Sequence, residues 1–481
     1  MTFADTSVTA FTVLVILTNT PCSCSDSSTK NTSQLFSING YLQKQFITKL
    51  HSNNSSNDSS NDSFATPRDL RATMNTLISD LSAAIKFSSL ALIFPTLAIT
   101  LLSGGESFYI MATLFLLILF IAELPIRNFD DWNFEHPQLF KTQLVVSVFA
   151  LFIYLISFVW YWLAPECDFL SLAAASESWL GIDIMSERES ATASKTIFAG
   201  IMAVLCSIAL SAIYGHELIH NPINSPLYRI GVFAHIITFF SYFSVSHPIG
   251  HHHLMATGED HATPRRGENL YSFAWRSRIG KQKQTWTLEK NRLNKLELSA
   301  WHWKNRALRN WCLEAALAMG LISYAGWHGV SAIILVALSS NLFMEIANYV
   351  QHYGLLRAPQ AKIQAKHIWT ANHTLMNFMF AGAGRHASHH ASTGDFWHSS
   401  GGSDKDPRMA AGILLTALIS LVPFLFKQIM NQKLIHWDWE FASEEEQRLA
   451  IFASKTSGDS ILIAHADELE TSLLVRAIQS T

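Results

Sequence analysis

With 481 residues, of which 49 % are apolar, 12 % aromatic and only 15 % charged, the chain has the balance of a membrane protein rather than of a water-soluble domain. A formal net charge of −3 gives no reason to expect nucleic acid as a partner. The cysteines Cys22, Cys24, Cys167, Cys206 and Cys312 are too scattered for a disulfide scaffold, and with no CxxC pair they exclude an on-chain cysteine-ligated iron or zinc knuckle.

Residues 1–84 hold a short apolar run, Phe11 to Thr18, then a Ser/Asn-rich stretch centred on Ser52 to Ser63. The run has no basic residue before it and is shorter than a spanning helix, which disfavours a cleaved signal peptide. The polar stretch cannot bury enough apolar surface to offset its ordering entropy and reads as a disordered region.

From Ile85 the chain turns strongly apolar, and a bilayer crossing needs about 20 such residues. Spans are expected at 85–103, 108–124, 143–163 and 196–214, while 227–245 is ambiguous. The apolar stretch 311–349 is too long for one crossing, and its Tyr324-Ala325-Gly326-Trp327-His328-Gly329 break predicts a hairpin of two helices. Cys206 and Cys312 fall in these runs and read as small buried hydrophobes.

Sidedness follows from basic residues, which collect in cytoplasmic loops. The connection 104–107 has none, whereas Arg265 to Arg309 carries Arg265, Arg266, Arg276, Arg278, Lys281, Lys283, Lys290, Arg292, Lys295, Lys304, Arg306 and Arg309. That stretch is expected to be cytoplasmic. The histidine clusters described next flank 227–245, so this run must lie in the interface or re-enter, otherwise they would face opposite compartments. The expectation is an all-α membrane protein of six transmembrane helices, with both termini and the histidines on the cytoplasmic side and the sequons at Asn31, Asn53, Asn54, Asn57 and Asn61 unglycosylated. Met409 to Met430, broken by Pro423, is either a seventh span or a surface helix. A body over 85–435 is then followed by a C-terminal tail, 436–481, with a short helix headed by the capping box Ser443 to Glu446.

Four clusters hold nine histidines: His216 and His220 in HELIH, then His247, His251 and His252, then His352, and finally His386, His389 and His390. Helical residues four apart share a face, so His216 with His220, His247 with His251, and His386 with His389 and His390 can each serve one ion. The neighbours His251-His252 and His389-His390 diverge, which suits two ions. Imidazole does not name the metal, but nine donors exceed what one zinc uses, and two irons with open positions for oxygen use the number naturally. His235, His253, His261 and His373 sit near the clusters and could support the ligand rings, and none is expected to be a ligand itself. Glu217, Glu259, Asp260, Asn348 and Arg385 stand where ligand rings need hydrogen-bond partners. The competing reading for Glu259, Asp260, Arg265 and Arg266 is a solvated charged loop.

These residues resemble the integral-membrane non-haem diiron alkane 1-monooxygenases, which are related to the membrane fatty acid desaturases. His216 to His220 is similar to their first histidine box, and His247 to His252 with Ala256-Thr257-Gly258-Glu259-Asp260 and Arg266-Gly267-Glu268 to the second. Asn348 to Arg357, reading NYVQHYGLLR, is similar to the segment that separates these hydroxylases from desaturases, and Arg385 to Ala391, reading RHASHHA, to the last box. The resemblance implies a desaturase-like fold, with the nine histidines ligating two iron ions. It also implies O2 as co-substrate, hydroxylation of a terminal carbon of an alkane or alkyl chain, and a separate rubredoxin-like electron donor with its reductase. There are four departures from the pattern: Ser246 and Gln351 stand for Glu, Asn221 for Lys, and the pair Ala383-Gly384 for Leu-Gln.

Alternatives remain open on the residues alone. A desaturase, a fatty acid ω-hydroxylase or an aromatic-methyl oxygenase would share the histidines. An intramembrane zinc protease would use His216 and His220 with Glu217 as base, would need a third zinc ligand and would leave six clustered histidines idle. A metal transporter would place its ligands near the bilayer midplane, whereas these fall at span ends.

Overall fold

The computed structural model describes residues 67–124, 134–163, 168–392 and 406–479. The expectations for residues 1–66, including the polar stretch and all five sequons, lie outside the described residues. Within them the regular structure is helical, with a single isolated bridge between Thr370 and Arg408.

Apolar runs become helices where expected, bounded by glycine and proline. Helix α1 (Pro67–Phe87) and α2 (Ser89–Ser103) meet at 45° across Ser88, so α1 begins well before the anticipated boundary at 84. The pair Gly104-Gly105, both with positive φ, turns the chain into α3 (Ser107–Ala122). Then follow α4 (Pro137–Trp162) and α5 (Ala193–Ile208), the latter continuing through a π turn, Ala209–Gly215, to His216–Leu218. Asp80 joins α1 to the start of α4, accepting from the Glu135 and His136 amides at 2.9 Å. Between the spans, Phe94 meets Phe115 and Tyr154 edge-on at 5.5 and 5.4 Å. On the outer faces Ile99, Ile110, Phe120 and Leu338 are more than half exposed, as side chains in contact with lipid tails would be.

The ambiguous run does not form one spanning helix. Helix α6 (Pro226–Ile237) stops after 12 residues, and Phe239 turns with a φ of +55°. Helix α7 (Leu270–Asn294) follows, and α8 covers Arg306–His352 with one non-helical residue, Gly326, at φ 53° and ψ −128°. There the chain folds back. A Cβ added at Gly329 would lie 2.4 Å from the Leu321 carbonyl oxygen, an approach that a straight helix could not bring about between residues eight apart. Glu314 and Asn341, from opposite arms, both reach the same turn, accepting from the Ser241 amide at 2.8 Å and donating to the Phe239 carbonyl at 3.0 Å. The expected helical hairpin is therefore present. Among the described residues three helices, counting α8 once, are long and apolar enough to cross a membrane, or four if the bent pair α1 and α2 is one span. The protein is an integral membrane protein.

The C-terminal region departs from the expected tail. Helix α9 (Ile413–Ser420) ends before Pro423, and α10 (Pro423–Glu440) runs across the anticipated boundary at 435. The predicted capping box starts α11 (Glu444–Lys455), but a further helix, α12 (Ser460–Gln479), follows it. Both are part of the body. Buried Asp438 accepts Arg266 at 2.6 and 2.7 Å and lies 3.0 Å from His465 Nε2, while Glu446 meets His367 at 2.7 Å and Lys366 at 2.6 Å. Cys206 is buried as anticipated, but Cys312 is exposed on the outer side of α8.

Candidate metal centre

All nine histidines converge at the ends of the spans. Their ring nitrogens separate into two groups, His216, His220, His247, His252 and His389 in one and His251, His352, His386 and His390 in the other, each with its nitrogens within 4.8 Å of one another. The neighbours expected to diverge do so, since His251 and His252 belong to different groups and so do His389 and His390.

Two expected pairings come out differently. His247 is grouped not with His251 but with His252, because Pro248 sits in a π turn, His247–His251, whose wider winding brings residue i+5 rather than i+4 alongside. The His252 amide bonds the His247 carbonyl across that turn, and the two Nε2 atoms lie 3.1 Å apart. Likewise His386 keeps His390, at 2.9 Å between Nε2 atoms, while His389 faces His220 at 3.0 Å. The first box depends on the other π turn, where His235 Nε2 lies 3.0 Å from the Ser211 carbonyl.

The donor set fits metal ions. His216 and His247 bring Nε2 atoms to 2.7 Å, and the other facing pairs lie at 2.9 to 3.1 Å. A metal with N bonds of about 2.1 Å holds adjacent donors roughly 3.0–3.4 Å apart, so these separations approach the edges of a coordination polyhedron. His251 Nε2 and both nitrogens of His352 are buried with no hydrogen-bond partner, as metal-facing nitrogens would be. Burial and then the neighbouring rings press His220, His247, His252, His386 and His390 well below the usual imidazole range, and burial followed by His251 lowers His389 to about 4. These six rings are therefore neutral at physiological pH, which is the ligating form.

Around them the polar groups divide. Buried Asp260 lies 2.8 Å from His251 Nδ1 and accepts from Thr263 Oγ1 at 2.7 Å. Burial would raise this carboxyl, but His251, Thr263 and the Ala262 amide together hold it at about 2. Glu217 Oε2 is 3.7 Å from His389 Nδ1. Arg385 donates to Asn372 Oδ1 at 3.0 Å, and Asn348 Nδ2 is buried without a partner. Glu259 and Arg265 are exposed, so the solvated-loop reading holds for them and fails for Asp260 and Arg266. His253 is exposed as well, and His261 packs against Gly280.

Two groups escaped the reading of the sequence. Lys281 and Glu345 form a buried ion pair at 2.7 Å between α7 and α8. Signals existed: Glu345 precedes His352 by two helical turns on one face, and Lys281 interrupts the core-facing stripe Phe273, Ser277, Thr285 of α7. Arg357 is the other, donating to the carbonyls of His253, Met255 and Ala361 and so pinning the second histidine box to the chain after His352.

An apolar cavity of about 100 Å³ meets the first group of rings. Its apolar lining includes Leu90, Phe94 and Phe115, and its polar lining includes Glu217, Asn348, His216, His247, His386 and His389.

Residues 195–399, which carry every one of these rings, match the fatty acid desaturase family model. The chain is 27 % identical over 264 residues to an alkane 1-monooxygenase of Pseudomonas putida, covering 54 % of this chain and 64 % of that protein. It is 28 % identical over 250 residues to the alkane 1-monooxygenase of Acinetobacter baylyi, covering 50 % and 60 %. A xylene/toluene monooxygenase hydroxylase component, XylM, of Pseudomonas putida is 29 % identical over 216 residues, covering 44 % and 58 %. The chain thus spans a little under two thirds of the length of these relatives.

Proposed function

We propose that residues 195–399, which belong with the fatty acid desaturases, and the spans around them form a membrane diiron monooxygenase that hydroxylates the terminal carbon of an alkane or alkyl chain. The observation that carries this reading is the meeting of an apolar cavity with His216, His247 and His389 of the five-histidine group and His386 of the other. His216, His220, His247, His252 and His389 would hold one iron, and His251, His352, His386 and His390 the other. When bound, the irons supply dioxygen activation with two electrons, one oxygen atom entering a C–H bond and the other leaving as water.

The chain's own residues do the rest. Phe94, Phe115 and Leu90 hold the chain by apolar contact and exclude water, so that a methyl end with no polar handle is positioned by shape alone. Asp260 holds His251 through Nδ1, leaving Nε2 to face the metal. Glu217 faces His389 at the cavity wall, where Gln351 also lies.

Topologically, α2, α3, α4, α5 and the two arms of α8 make six crossings, with both termini and the histidines on the cytoplasmic side. Electrons come from a separate rubredoxin-like protein and its reductase. A basic surface would attract such an acidic donor, although only part of the expected stretch serves: Arg265, Lys283, Lys290, Lys295, Lys304 and Arg309 are exposed, while Arg266, Lys281 and Arg306 are buried.

The experiment is iron content of the detergent-purified protein, paired with a search for labelled dioxygen in octane or a longer alkane. Near two irons with labelled 1-alkanol supports the reading, whereas one zinc would discard it. Desaturation is the second reading, favoured by the family model, and an alkene without label would identify it. Zinc proteolysis has less support, since His216 and His220 sit among three further rings where a catalytic zinc uses three protein ligands.

A further inference from the structure

Away from the histidines, a groove of about 560 Å³ runs between α6 and the first arm of α8. Both helices begin at its polar end, capped by Ser225 and Asn305. Arg229 and Arg309 line that end, and both are exposed. Phe233, Ile237, Leu313 and Leu317 line the remainder. The groove is therefore cationic at its mouth and apolar along its length.

The arginines differ from their neighbours. Arg306, also at the mouth, is committed to buried Glu289 through its side chain and amide. Arg229 and Arg309 have no carboxylate partner among the described residues, and no Asp or Glu lines the groove. Two unpaired guanidiniums offer bidentate donors suited to a phosphate, with helix N-termini adding positive potential at the same level. Leu313, 53 % exposed, leaves the apolar part open to the side, where acyl chains would enter.

We infer that this groove binds one anionic phospholipid, its phosphate between Arg229 and Arg309 and an acyl chain along Phe233, Ile237, Leu313 and Leu317. The occupant is a lipid rather than a free anion because the groove continues the charge with a hydrocarbon surface, and rather than a zwitterion because two arginines meet the phosphate while no carboxylate lines the groove to pair with an ammonium. The inference rests on the membrane setting and is independent of the oxygenase reading. Its consequence is structural: the lipid would brace α6, whose other side packs on the first histidine box.

The test uses full-length protein in neutral detergent, stripped of lipid and offered phosphatidylglycerol, phosphatidylcholine or inorganic phosphate, with retained lipid counted by native mass spectrometry. Phosphatidylglycerol is expected to be retained about 25-fold better than phosphatidylcholine, each of the two basic groups contributing on the order of a fivefold factor. R229Q/R309Q should retain both equally with an unchanged circular dichroism spectrum, R229K/R309K should keep most of the preference, and L317W, which fills the groove, should lose it. An undiminished preference in R229Q/R309Q, or none in the unaltered protein, overturns the inference. So does displacement of the lipid by inorganic phosphate alone, which would make this a free-anion site.

Discussion

His251 and His252 are consecutive in the chain, yet their rings stand 6.0 Å apart at 88° and contribute to different nitrogen groups. One backbone turn thus feeds both nitrogen groups, and each ring has its counterpart in the last box, where His389 and His390 divide in the same way. His252 stacks on His390 at 4.0 Å, so the two groups touch through rings rather than through a shared carboxylate.

From this division, H252A and H251A should each lower iron content from near two towards one, and each should abolish turnover. H253A, an equally adjacent but exposed ring, should change neither. Metal analysis with product assay checks all three. Full iron in H252A would remove that residue from the ligand set.

Asp260 should act on His251 alone. D260N keeps the shape but removes the charge that faces Nδ1, and iron affinity at the four-histidine site is expected to fall about 10- to 100-fold. T263A, which removes one donor from the same carboxylate, should have a smaller effect in the same direction. Competition with a graded chelator measures both, and a D260N protein with unaltered retention would leave Asp260 a structural role only.

Much of this centre was legible because helical spacing and ligand chemistry agree. His216 with His220 and His386 with His390 obey the four-residue rule, and divergent neighbours announced two groups. The rule failed at His247 because a π turn adds a residue per winding, and one proline in a histidine run does not announce that. Longer-range partners were invisible for a different reason. Arg266 was one basic residue among many until Asp438, far along the chain, arrived to pair with it, and a polar C-terminal segment gave no sign that its helices close over the second box. Glu446 was recognised for its local cap, which said nothing of His367 and Lys366.

Gly231 faces the first histidine box so closely that a Cβ there would meet Leu218 Cβ and Ile219 Cγ2, both at 2.9 Å. G231A should cost on the order of 1–3 kcal/mol through overpacking, and G231V more. Because Leu218 and Ile219 lie between His216 and His220, the displacement should also weaken metal retention. Thermal unfolding and iron content, read together, separate this from a purely local loss: a destabilised protein with full iron would show that α6 yields and the box does not.

Glu289 gives a dependence on pH that can be assigned to one residue. Its side chain is buried and accepts from Arg292, from Arg306 and from the Arg306 amide. Burial alone would raise the carboxyl, but these donors hold it at about 2, below the value of about 4.3 expected in the unfolded chain. The unfolded state therefore binds the proton more readily, and stability from this group is present above about pH 4.3 and is lost as pH falls towards 2. E289Q should destabilise the protein near neutrality by about 3 kcal/mol, since it leaves buried Arg306 without its counter-charge, and should flatten the acid side of the stability profile. Chemical unfolding between pH 2 and 7 in a fixed detergent measures both effects. Parallel profiles for E289Q and the unaltered protein would mean that the acid sensitivity resides in other carboxylates, Asp260 and Glu446 first among them, since both are also held near 2.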